Sequence, residues 1–206
     1  MKRNVLITGF EPFGGGARNP SAEIAQALHG SRIYGREVCG VVLPVAFGRS
    51  GVCLKQAIKE TDPELVICLG LAGSRRSLSL ERVAVNLDDA AIPDNAGQQP
   101  IDTPVVRGGP TAYLTTLPVK RIAAALIKRE VPVELSSTAG NYVCNHVFYH
   151  LMHQLRRRPG VRGGFIHVPP YSAGFEHEVM REALAAAILQ TLRSRNDLKI
   201  PAGKID

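Results

Sequence analysis

Short continuous apolar runs alternate along this chain with longer stretches in which apolar side chains return every three or four positions, and the two periods predict strands and helices in turn. Val5-Leu-Ile-Thr8 is such a run, ended by Gly9, and reads as a buried strand. Asn19-Pro20 is a helix start, with Asn as N-cap and Pro at the first position, and the helix is expected to reach about His29-Gly30. Val38 to Val45 predicts the next strand, and Phe47, Gly51, Leu54 and Ile58 share a helical face that Asp62-Pro63 terminates. Leu65-Val-Ile-Cys-Leu69 repeats the buried-strand pattern up to Gly70. Strand, helix, strand, helix, strand in this order predicts an α/β fold with parallel pairing.

The second half is less regular. Leu71 to Asn86 is a strand-like alternation that contains Glu81 and Arg82, and residues 88–112, rich in Asp, Asn, Pro and Gly, read as loops with short hairpin strands around Pro104–Val106 and Thr111–Leu114. So long a connection often carries function or a subunit contact. Pro118 opens a helix with Val119, Ile122, Ala123 and Leu126 on one face, followed by a strand at Val133-Glu-Leu135. The small-residue stretch from Ser136 to Asn145 then leads into a helix from His146 to Arg158. Gly163-Gly-Phe-Ile-His167-Val168 is a last strand, Met180, Leu184, Ala187 and Ile188 mark a last helix, and the polar end from about Ser194 to Asp206 reads as a mobile tail.

Composition narrows the classes. The 206 residues fit one domain, 1–206, large enough to bury a core without staples. The basic start Met1-Lys-Arg-Asn4 precedes an apolar run too short for a signal peptide, and no run is long enough to span a membrane. Cys39, Cys53, Cys68 and Cys144 are widely spaced without a CxxC, which favours reduced thiols in the cytoplasm. The net charge of +7 raises nucleic acid as a partner, but basic residues are scattered and only Arg156-Arg-Arg158 forms a run, so nucleic-acid binding is set aside.

The candidate chemistry centres on Cys144. A thiol at a helix N-terminus lies near backbone N–H groups without intrahelical partners, which favours its thiolate and offers donors to an oxyanion. A buried cysteine acting only as a small hydrophobe is the competing reading. A nucleophilic thiol needs an oriented base. His146, His150 and His153 fall on the helix side roughly opposite Cys144, His29 and His177 read as solvent-facing, and the i, i+4 pair His146/His150 lacks the Glu of a metal-binding H-E-x-x-H. His167, at the carboxyl end of a strand where α/β folds place active sites, is the supported candidate, against the alternative of a hydrogen-bonded core residue. Glu81 sits where burial is plausible, but a glutamate there is more often a surface residue, here paired with Arg82. Phe10 and Phe13 stand on a glycine-rich turn, either as an apolar pocket wall or as anchors onto the core.

Four stretches together resemble the pyrrolidone-carboxylate peptidases, the type I pyroglutamyl peptidases. These are Thr8-Gly-Phe-Glu-Pro-Phe-Gly14 with Asn19-Pro-Ser21, Gly70-x-x-Gly73 with Leu78-Ser-x-Glu81-Arg-Val-Ala-x-Asn86, Ser136-x-Thr-Ala-Gly-x-Tyr-Val-Cys144-Asn145, and Phe165-Ile-His167-Val-Pro169. The resemblance implies a three-layer α/β/α sandwich around a mixed, mostly parallel twisted sheet, no cofactor or metal, a cytoplasmic location and a homotetramer. It implies Cys144 as nucleophile, His167 as general acid–base and Glu81 as the orienting carboxylate. Phe10 and Phe13 would sandwich a pyroglutamyl ring, with Val45, Ile92, Tyr142 and Val143 nearby and backbone groups of Leu71 on the lactam. The partners are then peptides with an N-terminal pyroglutamyl residue. Two departures stand out: Leu71 where many members carry Gln, and Ala91 where many carry Arg before Ile92-Pro-Asp-Asn95. An oxyanion donor lost with that Arg would cost roughly 2.7 to 4 kcal/mol, with Arg75 or Arg76 as conceivable substitutes. A catalytically weak binder of pyroglutamyl peptides and a cysteine amidase for another small amide are the rival readings.

Overall fold

The computed structural model describes residues 4–203; the basic opening and the last three residues of the polar tail lie outside the described residues. A seven-stranded sheet in the order β2-β3-β1-β4-β9-β5-β8 forms the centre. Its strands are β1 (Asn4–Phe10), β2 (Arg32–Ile33), β3 (Arg36–Leu43), β4 (Pro63–Leu71), β5 (Leu78–Glu81), β8 (Val133–Ser136) and β9 (Arg162–Val168). A separate two-stranded ribbon joins β6 (Val83–Val85) to β7 (Ala112–Leu114). The pairs β3–β1, β1–β4, β4–β9 and β5–β8 are parallel, whereas β5 runs antiparallel to β9 and β2 antiparallel to β3. The mixed, mostly parallel sheet is the expected one.

Helices α1 (Pro20–Leu28), α3 (Val119–Ile127) and α5 (His177–Arg193) cover one face, and α2 (Arg49–Thr61) and α4 (Val143–Leu155) the other. The period of two along each strand divides the core accordingly. Val5, Ile7, Leu65, Ile67, Leu69, Leu80 and Ile166 face α1, α3 and α5. Leu6, Phe10, Val66, Cys68 and Phe165 face α2 and α4. Both clusters are fully buried, and each large side chain in them stabilises the fold by about 1.5 to 3 kcal/mol. Asn19 caps α1 by accepting from the Ser21 N–H at 3.1 Å, with Pro20 in the first turn. Packing between α1 and the sheet is close enough that a β-carbon on Gly9 would lie 2.1 Å from the Ser21 carbonyl oxygen, which no side chain tolerates. Asp62 ends α2 in the left-handed region (φ 41°), with Pro63 directly after it.

Three expectations change. Pro104–Val106 is not a strand; β7 pairs instead with β6, Val83 opposite Leu114, because the Asn86 side chain takes the backbone groups of this segment, accepting from Val106 N–H at 2.8 Å and donating to Val106 O at 2.9 Å. Helix α4 begins three residues earlier than its composition indicated, so that Cys144 lies inside its first turn. The tail is not free over its whole length: the Asp197 carboxylate caps α3, accepting from Lys120 N–H at 3.1 Å and Arg121 N–H at 2.9 Å. Among the described residues no helix is long and apolar enough to cross a membrane.

Candidate active site

The site lies on the α2/α4 face, near the carboxyl ends of β1, β4 and β9. In the sheet register Gly70 of β4 stands beside His167 of β9, so both residues address the same face. Cys144, in the first turn of α4, rests its thiol directly over Gly70: a β-carbon there would lie 2.8 Å from Sγ and 2.8 Å from the Phe165 ring. Glycine at position 70 therefore makes the room in which the thiol sits beside the imidazole. The N-cap residue Tyr142 makes no capping side-chain hydrogen bond, so no N-cap side chain occupies the first amides of α4.

His167 is 5 % exposed and donates Nδ1–H to Glu81 Oε1 at 2.7 Å. The donor must be Nδ1, because a carboxylate accepts only, so in the neutral ring Nε2 carries the lone pair; among the described residues no hydrogen bond occupies it. Glu81 is fully buried at the end of β5 and pairs not with its neighbour Arg82 but with Arg75, whose Nη1 donates to the same Oε1 at 2.5 Å. Arg75 Nη2 donates to the Thr138 carbonyl at 2.9 Å. A guanidinium committed in this way is not a spare oxyanion donor, which corrects the substitute role considered for Arg75.

Burial pushes the Cys144 thiol up to about 12, reinforced by the negative Glu81 and opposed by Arg75. The helix terminus favours a thiolate, and desolvation acts against it. Asn145, fully buried next to it, was not singled out by its sequence position. Its side chain imitates a strand partner, accepting from Val85 N–H at 2.9 Å and donating to Val85 O at 2.9 Å and Leu87 O at 3.0 Å, and so pins the start of α4 to the end of β6.

Beside the thiol opens a cavity of about 230 Å³, counted with its mouth, lined by Phe10, Phe13, Asn19, Val45, Leu71, Tyr142, Val143 and Cys144. The expected pocket residues are thus brought together except Ile92, which is 48 % exposed on the loop surface and outside this lining. Asn19 is the addition, read in the sequence as a cap and as part of the N-terminal stretch that carries the resemblance but not as a pocket residue: its Nδ2 donates to Glu11 O at 3.0 Å and its Oδ1 accepts from Ser21 Oγ at 2.8 Å. The loop after β6 closes the rim, with the Tyr142 hydroxyl donating to Pro93 O at 3.0 Å and Asn95 Nδ2 donating to Glu11 Oε1 at 2.9 Å. His146, His150 and His153 lie away from the thiol, and no cluster of three or more His, Cys, Asp or Glu side chains suited to a metal occurs among the described residues.

A thiol on a helix start, beside an imidazole held by a buried carboxylate and an apolar cavity, is the arrangement of a cysteine-type hydrolase on an α/β sheet. The family model for pyroglutamyl peptidase matches residues 3–180. A pyrrolidone-carboxylate peptidase of Klebsiella pneumoniae is 49 % identical over 208 residues, covering 97 % of each chain, and one of Clavibacter michiganensis is 48 % identical over 98 % of this chain and 99 % of its own. The crystal structure of pyroglutamyl peptidase I from Bacillus amyloliquefaciens superposes with a TM-score of 0.94 at 39 % identity, covering 98 % of this chain and 100 % of the other. The chain belongs to the pyroglutamyl peptidase family of cysteine-type hydrolases.

Proposed function

We propose that this protein removes an N-terminal pyroglutamyl residue from peptides, with Cys144 as nucleophile, His167 as general acid–base and Glu81 as the group that orients it. The observation that carries the reading is the Nδ1–H···Oε1 bond of 2.7 Å, which leaves Nε2 of His167 as the basic nitrogen on the face where the Cys144 thiol rests. The Cys144 proton passes to Nε2 as Sγ attacks the pyroglutamyl carbonyl carbon. The oxyanion forms beside the first amides of α4. Collapse breaks the C–N bond, and His167 gives its proton to the departing amine. Water then loses a proton to the same nitrogen and attacks the thioester, which frees pyroglutamate and restores the thiol.

Selectivity follows from the pocket. Its lining carries no charged side chain, so an ordinary N-terminal ammonium would be desolvated without a counter-charge, whereas a neutral lactam enters at little cost. Phe10, Phe13 and Tyr142 offer aromatic faces to the flat ring. Backbone groups at Leu71 take the lactam, since the leucine side chain offers no hydrogen bond where many members have Gln. The missing arginine at position 91 leaves the oxyanion to the helix amides, and Ala91→Arg is expected to raise kcat; an unchanged kcat would show the amides to be sufficient.

A chromogenic pyroglutamyl amide tests the reading: turnover by the wild type, lost in Cys144→Ala and after thiol alkylation, supports it. Retained binding without any wild-type turnover would replace it with a binder, and competition by free glutamine rather than pyroglutamate with an amidase. A cytoplasmic location and a homotetramer belong to the same proposal. Four free cysteines support the first, and the exposed Ile101 and Leu114 offer apolar surface for the second. Light scattering on the purified protein measures the assembly.

A further inference from the structure

We propose that Arg75 is a positioning residue for this reaction, its guanidinium holding the Glu81 carboxylate in place for His167 and tying it to the turn that delivers Cys144. The inference rests on the peptidase reading above. Glu81 is fully buried, and its two oxygens are used unequally: Oε1 accepts from both His167 Nδ1 at 2.7 Å and Arg75 Nη1 at 2.5 Å, while Oε2 is buried without a partner. The carboxylate's orientation is therefore set by two donors that arrive from different elements, β9 and the loop between β4 and β5.

The second nitrogen of the same guanidinium reaches Thr138 O at 2.9 Å, an oxygen that also accepts from Ser136 Oγ at 3.0 Å. Thr138 lies in the turn between β8 and α4, the segment that sets where α4 and its cysteine begin. One rigid planar fork thus spans the acid that orients the base and the turn that places the nucleophile. A lysine ammonium carries the charge but not the fork. Without the guanidinium, a buried carboxylate keeps one donor and is free to turn about it, which misdirects Nε2 and leaves substrate binding untouched, because Arg75 is not part of the apolar cavity beside Cys144. Arg75 instead lines a separate open cleft of about 970 Å³, counted with its mouth, together with Arg82, Ser136 and Thr138, so a small cation can reach the place it vacates.

The test uses the full chain and a chromogenic pyroglutamyl amide, with wild type and Cys144→Ala first establishing the peptidase reading. Arg75→Ala is expected to lose about 10- to 100-fold in kcat with KM nearly unchanged. Guanidinium chloride, at concentrations that leave the wild type unaltered, is expected to restore part of that loss, and Arg75→Lys to retain part of it. An undiminished kcat in Arg75→Ala overturns the proposal, as does a loss that guanidinium does not recover. Should Arg75→Ala fail to fold, a wild-type kcat in Arg75→Lys overturns it instead. The low-field proton resonance of His167 Nδ1–H reads the same arrangement without turnover: it is expected to move upfield in either variant, and an unmoved resonance overturns the role of Arg75 even if the peptidase reading itself fails.

Discussion

Two buried histidines in this protein each give Nδ1–H to a carboxylate at 2.7 Å, His167 to Glu81 and His146 to Asp88, yet their far nitrogens are in opposite states. His146 Nε2 accepts the Gly48 N–H at 3.0 Å, so both of its nitrogens are occupied and it joins three segments: α4, the turn before α2 and the loop after β6. Its ring also meets Phe47 edge-on at 5.4 Å, and Phe47 in turn meets Tyr142 of the pocket wall at 5.5 Å. His167 sits on a strand with Nε2 unoccupied among the described residues. A histidine–carboxylate pair can carry a proton only when the far nitrogen is kept free; the proposed base His167 meets that condition, and His146, two residues from Cys144 in the chain, fails it through one backbone N–H.

Breaking the pairs separately should expose this division. His167→Ala is expected to lower kcat/KM by about 10²- to 10⁴-fold with little change in melting temperature; steady-state kinetics beside a thermal melt decide, and a mild kinetic effect would reverse the roles of the two histidines. Gly70→Ala forces the thiol off its place beside His167 and is expected to cost roughly 10²-fold in kcat, the scale of a displacement of about 1 Å at a reacting atom. Asp88→Asn weakens the structural pair instead, with an expected loss of about 1 to 3 kcal/mol in denaturant unfolding while turnover persists.

The third comparison is with acid. His150, 4.5 Å from His146 and packed against Gly51 of α2, is lowered by burial to about 4 from the ordinary 6.5, with the neighbouring His146 and His153 adding to the shift. The unfolded chain therefore takes up this proton first. Stability from the neutral folded form is complete above pH 6.5 and falls as the pH drops toward 4, by at most roughly 3 kcal/mol. Unfolding of wild type and His150→Leu across that window measures it; equal slopes would assign the acid sensitivity to another group.

Much of this was legible in the sequence where one short pattern decides an outcome. The buried runs at Val5 and Leu65, the Asn19-Pro20 cap and the Asp62-Pro63 stop each fix an element locally, and the helix-face argument correctly separated Cys144 from His146, His150 and His153. What stayed hidden depends on partners distant in the chain. The pairing of β7 with β6 is decided by the Asn86 side chain, the anchoring of Asp197 by the start of α3, and the partner of Glu81 by a loop whose direction no periodicity reveals. The burial of Cys144 stayed hidden for the same reason, since a helix start is a local feature and desolvation is a sum over everything packed around it.

The reversal of strand direction between β9 and β5 separates what this enzyme can change from what it must keep. Because β5 enters against the direction of β9, Glu81 lies opposite Phe165, two residues deeper in the sheet than His167. The carboxylate is thus set in a strand, while the apolar cavity beside Cys144 is lined by the ends of β1 and β4, the segments after β1 and β3 and the start of α4. Phe13 and Val45, which lie in the connecting segments, are therefore the lining positions that can be exchanged for a different acyl group without touching the strands that carry Glu81 and His167.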